Sequence, residues 1–560
     1  MRLTGDPSLQ VVAEAGPIPL VIGVTGHRDL LPEDHEPLKS GLASALAELR
    51  RRYPHTPVMV LTGLAEGADQ LAAEVGLQSG AAHIAVLPRP PEAFLDDFPA
   101  AEARRQFEHL LGRSASCVVA QPDPLAKGYA EQGEWLAVCS HILLAIWDGR
   151  DGAGASGTAD VVRLCLGGFK NPCASIHRPL DPLETRPVWW ARARRLRNPQ
   201  PPVDFAIKPL YPGAAESAEH VKKVYEKLLQ DTERFNRSAA QSRSWMTPAE
   251  AQSMEALLPE PVRKQLSPPL QEMIQRYACA DVLAIHYQKL FRHFMDAMLV
   301  SVFLAGAILQ VRSWPGLAER IGDGLYATMQ WLPVILFIVA AGFYYGERRA
   351  KLHTRYLDFR ALAEGLRVQI FWSIAGLKAS VADEYLARYR GEIEWIRRAI
   401  RAVALRLGSN HLASPDAASI LVKHWLEAQN RFFTRSAERQ ERLPRYTGFA
   451  WNFAIIGGLI LAVLKMLPGG GGLGPSRVVI VASLIVFGLG LVKLRIKILA
   501  LTEQVRQYHR IADSFRRGEA KLTEGADPAT IYLELGREAL TENADWLLLH
   551  RERPLELPKT

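Results

Sequence analysis

Three glycine-containing turns hold most of the residues whose types and spacing suit chemistry. They are Thr25-Gly26-His27-Arg28, Gly63-Leu64-Ala65-Glu66-Gly67-Ala68-Asp69, and Trp147-Asp148-Gly149, with Gly154-Ala155-Ser156-Gly157-Thr158-Ala159-Asp160 just beyond the last. Glycine lets a backbone come close to a phosphate, and the amino end of a following helix aims amide groups at it. Arg28 suits pairing with a phosphate. Ser156, Thr158 and Asp160 suit either a ligand contact or the cap of a helix. His27 has no triad partner evident in the sequence and reads as a ligand-contacting or structural residue. There is no Walker motif, no GxGxxG and no metal-ligand spacing. The five cysteines, Cys117, Cys139, Cys165, Cys173 and Cys279, form no CxxC pair and read as reduced thiols.

The elements that must position these turns alternate between strand and helix. PLVIGVTGHRD, TPVMVLTGLAEGAD, HIAVLPRP, SASCVVAQP and HILLAIWDGRDG read as strands. LKSGLASALAELRRRY, DQLAAEVGLQSG, YAEQGEWLAVCS and GTADVVRLCLG read as helices between and after them. Such alternation predicts an α/β Rossmann-like domain over residues 17–210, a parallel sheet with helices on both faces. Ligands of such sheets bind beyond the carboxyl ends of the strands, where all three turns fall.

GVTGHRD, GLAEGADQLAAE and LLAIWDGRDGAGASGTADVV together resemble the SLOG superfamily over roughly residues 17–190. The resemblance implies a sensor of nucleotide or NAD-derived second messengers. Enzymes of the LOG type carry a PGGxGT turn with a glutamate three residues after the threonine. Here the turn is GAGASGT and the matching position is Val161, so binding is favoured over hydrolysis.

The C-terminal half has a different composition. Four apolar blocks run about Phe294–Val311, Tyr326–Tyr345, Gly448–Met466 and Val478–Leu494. Each is near the ~20 residues that a spanning helix needs. This predicts an all-α membrane region with four transmembrane helices in two hairpins. Basic residues flank the outer ends: Arg292 and His293, Arg348, Arg349 and Lys351, Arg442 and Arg445, then Lys493, Arg495 and Lys497. The positive-inside rule therefore sends both hairpins in from the cytoplasm and back, with both termini cytoplasmic. Residues 1–16 lack the basic and apolar regions of a signal peptide, in keeping with that orientation. The formal net charge of +8 then reads as largely topogenic, and no nucleic-acid-binding motif accompanies it.

Long helices flank each hairpin, giving helix–hairpin–helix twice. Tyr356, Phe359, Leu362, Ala363 and Leu366 form an apolar stripe that Tyr508, Ile511, Ala512 and Phe515 repeat. Gly306, Gly342, Gly457, Gly458, Gly488 and Gly490 are candidates for close helix approach. This layout resembles SLATT-type membrane effector modules, which accompany SLOG domains in bacterial conflict systems. The division expected is 17–210 for the nucleotide-binding domain, 211–292 for a helical connector, 293–410 for the first hairpin with its cytoplasmic helices, and 411–560 for the second.

The combined resemblance implies a bacterial inner-membrane sensor-effector in antiphage defence. Its partners would be the lipid bilayer, a nucleotide-like small molecule, further copies of itself as a homo-oligomer, and an enzyme producing the signal. Two other readings stay open. One is a membrane-tethered nucleotide N-glycosidase or phosphoribohydrolase. The other is a non-catalytic membrane scaffold.

Overall fold

The computed structural model describes residues 17–120, 125–150, 157–168, 183–199, 205–213, 218–314, 316–385, 393–407, 416–466 and 477–551. The chain divides into two compact units. One comprises the N-terminal residues through Val282 together with Leu362–Ala418; the other comprises Leu283–Ala361 and Ser419–Thr560.

The first unit is built on a seven-stranded sheet: β1 (Leu20–Gly26), β2 (Val58–Thr62), β3 (Ala82–Leu87), β4 (Ser116–Val119), β5 (Ile142–Trp147), β6 (Val188–Arg192) and β7 (Lys208–Leu210). Their order is β4-β3-β2-β1-β5-β6-β7. β1 to β6 pair in parallel, as expected; β7 pairs antiparallel to β6. The antiparallel strand is an edge. Pro209 lies in it, and a proline without an N–H is tolerated at an edge and costly inside a sheet.

Strands buried on both faces need apolar residues at every position, and β1 shows how they are shared. Leu20, Ile22 and Val24 face one side and pack with Leu38, Leu42, Leu46 and Leu49 of α1 (His35–Arg52). Val21 faces the other and shares a core with Met59, Leu61, Leu136, Val161 and Val162. Helices α2 (Ala68–Gln78), α3 (Ala101–Gly112), α4 (Leu125–Cys139) and α5 (Thr158–Gly167) complete the crossovers. A long α6 (Ala218–Leu257) follows, with Pro248 inside it.

Ala402 and Leu405 belong to the same core as Val21. They lie in and just after α10 (Glu394–Ala404). The sequence-based division placed this segment with the first hairpin; the structure groups it with the sheet. A buried ion cluster accompanies the apolar contact. The Glu184 carboxylate accepts from Arg186 at 2.6 Å, Arg397 at 3.2 Å and Arg401 at 3.0 Å. Arg401 also donates to Asp383, while Arg397 and Arg398 donate to Glu394. Arg186 donates to the Val138 and Ser140 carbonyls, and Arg401 to Val138. These guanidiniums satisfy carbonyls at the carboxyl end of α4, where the helix dipole favours cations. Burial pushes the Glu184 carboxyl up, but Arg401, Arg186 and Arg397 outweigh it and hold it well below the usual range.

In the second unit three helices are long and apolar enough to cross a membrane: Pro268–Arg312, Asp323–Ala350 and Val479–Ile498. Only 11% of the apolar window of the latter two is buried, so they are not core helices of a water-soluble globule. By length and composition this is a membrane protein. The expected span at 448–466 is not among the three. It forms the end of α11 (Glu427–Met466), where Phe449, Phe453, Leu459 and Val463 are exposed. The glycine-rich turn at 467–476 lies outside the described residues.

The helices here are α7 (Pro268–Arg312), which begins in the first unit, then α8 (Leu332–Ala350), α9 (Leu352–Ile374), which ends in the first unit, α11, α12 (Arg477–Ile498), α13 (Leu501–Thr523) and α14 (Pro528–Arg551). α7 meets α12 through a reciprocal fit. The Phe487 ring fills the space beside Gly306, and the Phe303 ring fills the space beside Gly488. The two rings stack with centroids 6.0 Å apart. Asp296 accepts from Arg495 at 2.7 Å, which accounts for a carboxylate at the start of an apolar block. Gly342, Gly457, Gly458 and Gly490 have nothing within 4 Å of the position of an added Cβ, so close approach is confined to two of the six candidates.

The internal repeat carries a matched joint. Lys351, between α8 and α9, and Ala500, between α12 and α13, are both left-handed, with φ of 50° and 48°. The offset between them also separates Phe359 from Tyr508, Leu362 from Ile511, Ala363 from Ala512 and Leu366 from Phe515. Glu364–Arg367 and Asp513–Arg516 are ion pairs at corresponding places.

Removing the shared acid should leave buried guanidiniums uncompensated. Glu184→Leu is expected to cost roughly 3–5 kcal/mol in chemical denaturation of the detergent-extracted chain. Gly306→Leu forces a side chain against the Phe487 ring and should cost about 1–3 kcal/mol. Gly490→Leu, where no described atom lies within 4 Å, should be near neutral in the same denaturation assay.

Candidate functional site

Chain order and spatial order part company at one place in the sheet. β1 to β4 run outward on one side, and β5 and β6 on the other, so the topological switch point lies between β1 and β5. The crevice at the carboxyl ends of these two strands is where an open α/β sheet binds ligands. Gly26 pairs with Ile146, so His27 and Asp148 emerge beside one another. His27 Nε2 lies 3.0 Å from Asp148 Oδ1. Both side chains are close to nine-tenths buried. Burial lowers the His27 pKa more than Asp148 raises it, so the imidazole is neutral at pH 7. Burial pushes the Asp148 carboxyl up, but His27, the Arg150 amide and Arg195 hold it below its usual value. The approach is a close polar contact: His27 Nε2 has no hydrogen-bond partner among the described residues. The contact with Asp148 corrects the sequence reading, in which His27 stood without a partner.

The first two turns are closed on each other. Gly67 has φ of +82°, and a Cβ there would meet the His27 and Arg28 carbonyls at 2.6 Å. A Cβ on Gly26 would meet that of Ala68 at 2.3 Å. The Ala68 amide donates to the His27 carbonyl at 3.1 Å. Gly63 is crowded by Gln132 and Asp69. At these positions protein atoms, and not a ligand, require glycine. Thr25 is buried at the end of β1, and Glu66 is half-buried.

The third region differs. Among the described residues nothing lies within 4 Å of a Cβ placed on Gly157 at the head of α5. Asp160 turns back to accept from the Gly157 amide at 3.0 Å, so it serves as a cap, and it also pairs with Arg163. Thr158 is the first residue of the helix. Ser156, with Gly154 and Ala155, lies outside the described residues. Gly149 has φ of +85° and stands over Trp190. Trp147 donates through Nε1 to the Arg150 carbonyl at 2.9 Å, and Trp190 to the Trp147 carbonyl at 3.0 Å.

Residues not singled out from sequence join the same edge. Arg28 donates to the Tyr129 hydroxyl at 3.0 Å, which donates to Asp97, which in turn pairs with Arg89. Arg89 follows β3, so the strand-end rule that selected the glycine turns also reaches it. Arg195 pairs with Asp29 at 2.8 Å. Asp69 accepts from the Gly63 amide at 3.1 Å. Burial raises its pKa to about 7, against the opposing pull of Arg28 and the Ala65 and Gly63 amides. The edge thus offers guanidiniums, one helix amino end and a carboxyl that titrates near neutrality. Among the described residues no group of His, Cys, Asp and Glu has the arrangement to hold a metal ion. Two cavities among the described residues lie elsewhere: one is apolar, between β1 and α1, and one sits at the amino end of β5.

No family model and no curated protein matches the chain. Among solved structures it is similar to DNA processing protein A (DprA) from Streptococcus pneumoniae, at 19% identity and a TM-score of 0.18. That alignment covers 24% of this chain and 43% of the other, less than half of its length.

Protonation of Asp69 gives this region a pH signature. Its folded pKa lies above the unfolded value, so the folded state binds the extra proton between about pH 4 and 7. Stability from this group is complete below that window and is lost as pH rises through 7. Asp69→Asn should flatten that part of the melting-temperature profile between pH 5 and 8.

Proposed function

We propose that the crevice between β1 and β5 binds a nucleotide-like anion, a nucleotide or an NAD-derived second messenger, and that the chain is a membrane-anchored sensor-effector. The observation that carries this reading is the switch point, with the His27–Asp148 pair on one side and the unobstructed Gly157 at the head of α5 on the other. A helix amino end whose first glycine meets no described side chain suits a phosphate. Arg28, Arg89 and Arg195 at the same edge supply positive charge. The SLOG-like turn sequences support the ligand class, and the SLATT-like layout supports the effector.

In this reading four helices span the inner membrane of a bacterium as two hairpins, with both termini cytoplasmic. Homo-oligomers disrupt the membrane or form a channel in antiphage defence, and a separate enzyme makes the signal. The ligand acts by binding one arrangement of the protein more tightly than another. A second reading, hydrolysis at the N-glycosidic bond, draws support from the His27–Asp148 pair and from Asp69, whose carboxyl titrates near pH 7. Val161 at the position of the LOG-type glutamate weighs against it.

The test is a thermal-shift panel of nucleoside mono-, di- and triphosphates, NAD and its cyclic derivatives on the full chain in detergent. A saturable rise in melting temperature that disappears in Gly157→Trp is expected. No shift across the panel would sink the binding reading. Base release that is lost in Asp148→Asn would transfer the proposal to hydrolysis.

A further inference from the structure

A second polar site lies at the opposite end of β5. His141 immediately precedes that strand, on the order of 20 Å from Trp147 at ~3.3 Å per residue. The His141 ring is 4% exposed. Its Nδ1 accepts from the Val21 amide at 3.0 Å, so the neutral ring carries its proton on Nε2. That buried Nε2 meets no hydrogen-bond partner among the described groups. A buried donor left unsatisfied costs about 1–3 kcal/mol.

His141 lines a cavity of about 60 Å³ with Arg52, Tyr53, Tyr211, Tyr225 and Arg398. At ~10–15 Å³ per water-sized centre, this is room for roughly four heavy atoms. Arg398 lies over the Tyr225 ring, 5.5 Å from its centroid, and Arg52 pairs with Glu226 at 2.9 Å. Arg186 and Arg401 stand behind the ring. Burial, then Arg398, Arg186 and Arg401, lower the His141 pKa well below its usual value, so the ring is neutral; Glu226 also lines the cavity. The ring therefore stays a neutral donor with guanidiniums around it, a combination that suits an acceptor carrying negative charge.

We infer that this cavity is a binding site for a small oxyanion, a carboxylate or phosphate group, held by the His141 Nε2–H and Arg398 and enclosed by the three tyrosine rings. It is separate from the strand-end crevice and independent of the function proposed there. A free inorganic anion and the carboxylate of a small metabolite share this chemistry.

The test uses the full chain in detergent at constant ionic strength, titrated with inorganic phosphate and, separately, with acetate against a chloride control. One of the two anions should raise the melting temperature saturably. Arg398→Gln should weaken that binding at least tenfold, whereas Gly157→Trp, at the other end of the sheet, should leave it unchanged. Should Arg398→Gln fold poorly, the chain labelled with [15N]histidine decides. The Nε2–H signal assigned through His141→Gln should move with the bound anion. No saturable response to either anion, or a His141 signal that stays fixed through the titration, overturns the inference.

Discussion

A carboxylate surrounded by three guanidiniums in a dry interior organises the first unit. Glu184 is buried, and each arginine around it would be costly to bury alone. One partner, Arg186, lies two residues on in the run leading into β6, and two, Arg397 and Arg401, come from one face of α10. Arg186 and Arg401 also fill the orphan carbonyls at the end of α4. One cluster thereby ties a helix end, a sheet strand and a segment more than two hundred residues downstream into a single compact body.

The same sheet separates its two ends chemically. At the carboxyl ends, β1 and β5 release His27 and Asp148 side by side, and the neighbouring turns interlock through Gly26 and Gly67. Interlocking holds the first two turns against each other. At the amino end of β5, burial and then the arginine cluster keep His141 neutral. Parallel strands make this division natural, because every strand presents its carboxyl end to one side and its amino end to the other.

Much of the first domain was legible in sequence because periodicity and turn residues report local structure. β1, β2 and β5 announced themselves as apolar runs closed by glycine turns, β3 and β4 as apolar runs closed by proline, and the apolar helices α8 and α12 by length alone. Other features were hidden for physical reasons. VWWAR, which forms β6, is a short run too brief to separate strand from helix. The His27–Asp148 contact arises from parallel pairing across more than a hundred residues, which no local spacing records. Residues 394–405 carry arginines that read as a solvated face, yet Arg397, Arg398 and Arg401 are buried because their counter-charges come from elsewhere. The glycines at the turns were rightly singled out, but three of them are glycine to admit protein atoms.

The matched left-handed joints at Lys351 and Ala500 show that the chain changes direction at equivalent residues of the repeat. Neither joint is a glycine, so each backbone turn is held by its surroundings and not by intrinsic preference. Covalent linkage of the halves converts the meeting of α7 with α12 into an intramolecular event. Its effective concentration is then set by the connecting chain, on the order of millimolar for a short flexible tether, and does not depend on how many molecules a membrane holds. Pairing between these two apolar segments therefore survives dilution, at expression levels where separate hairpins would drift apart.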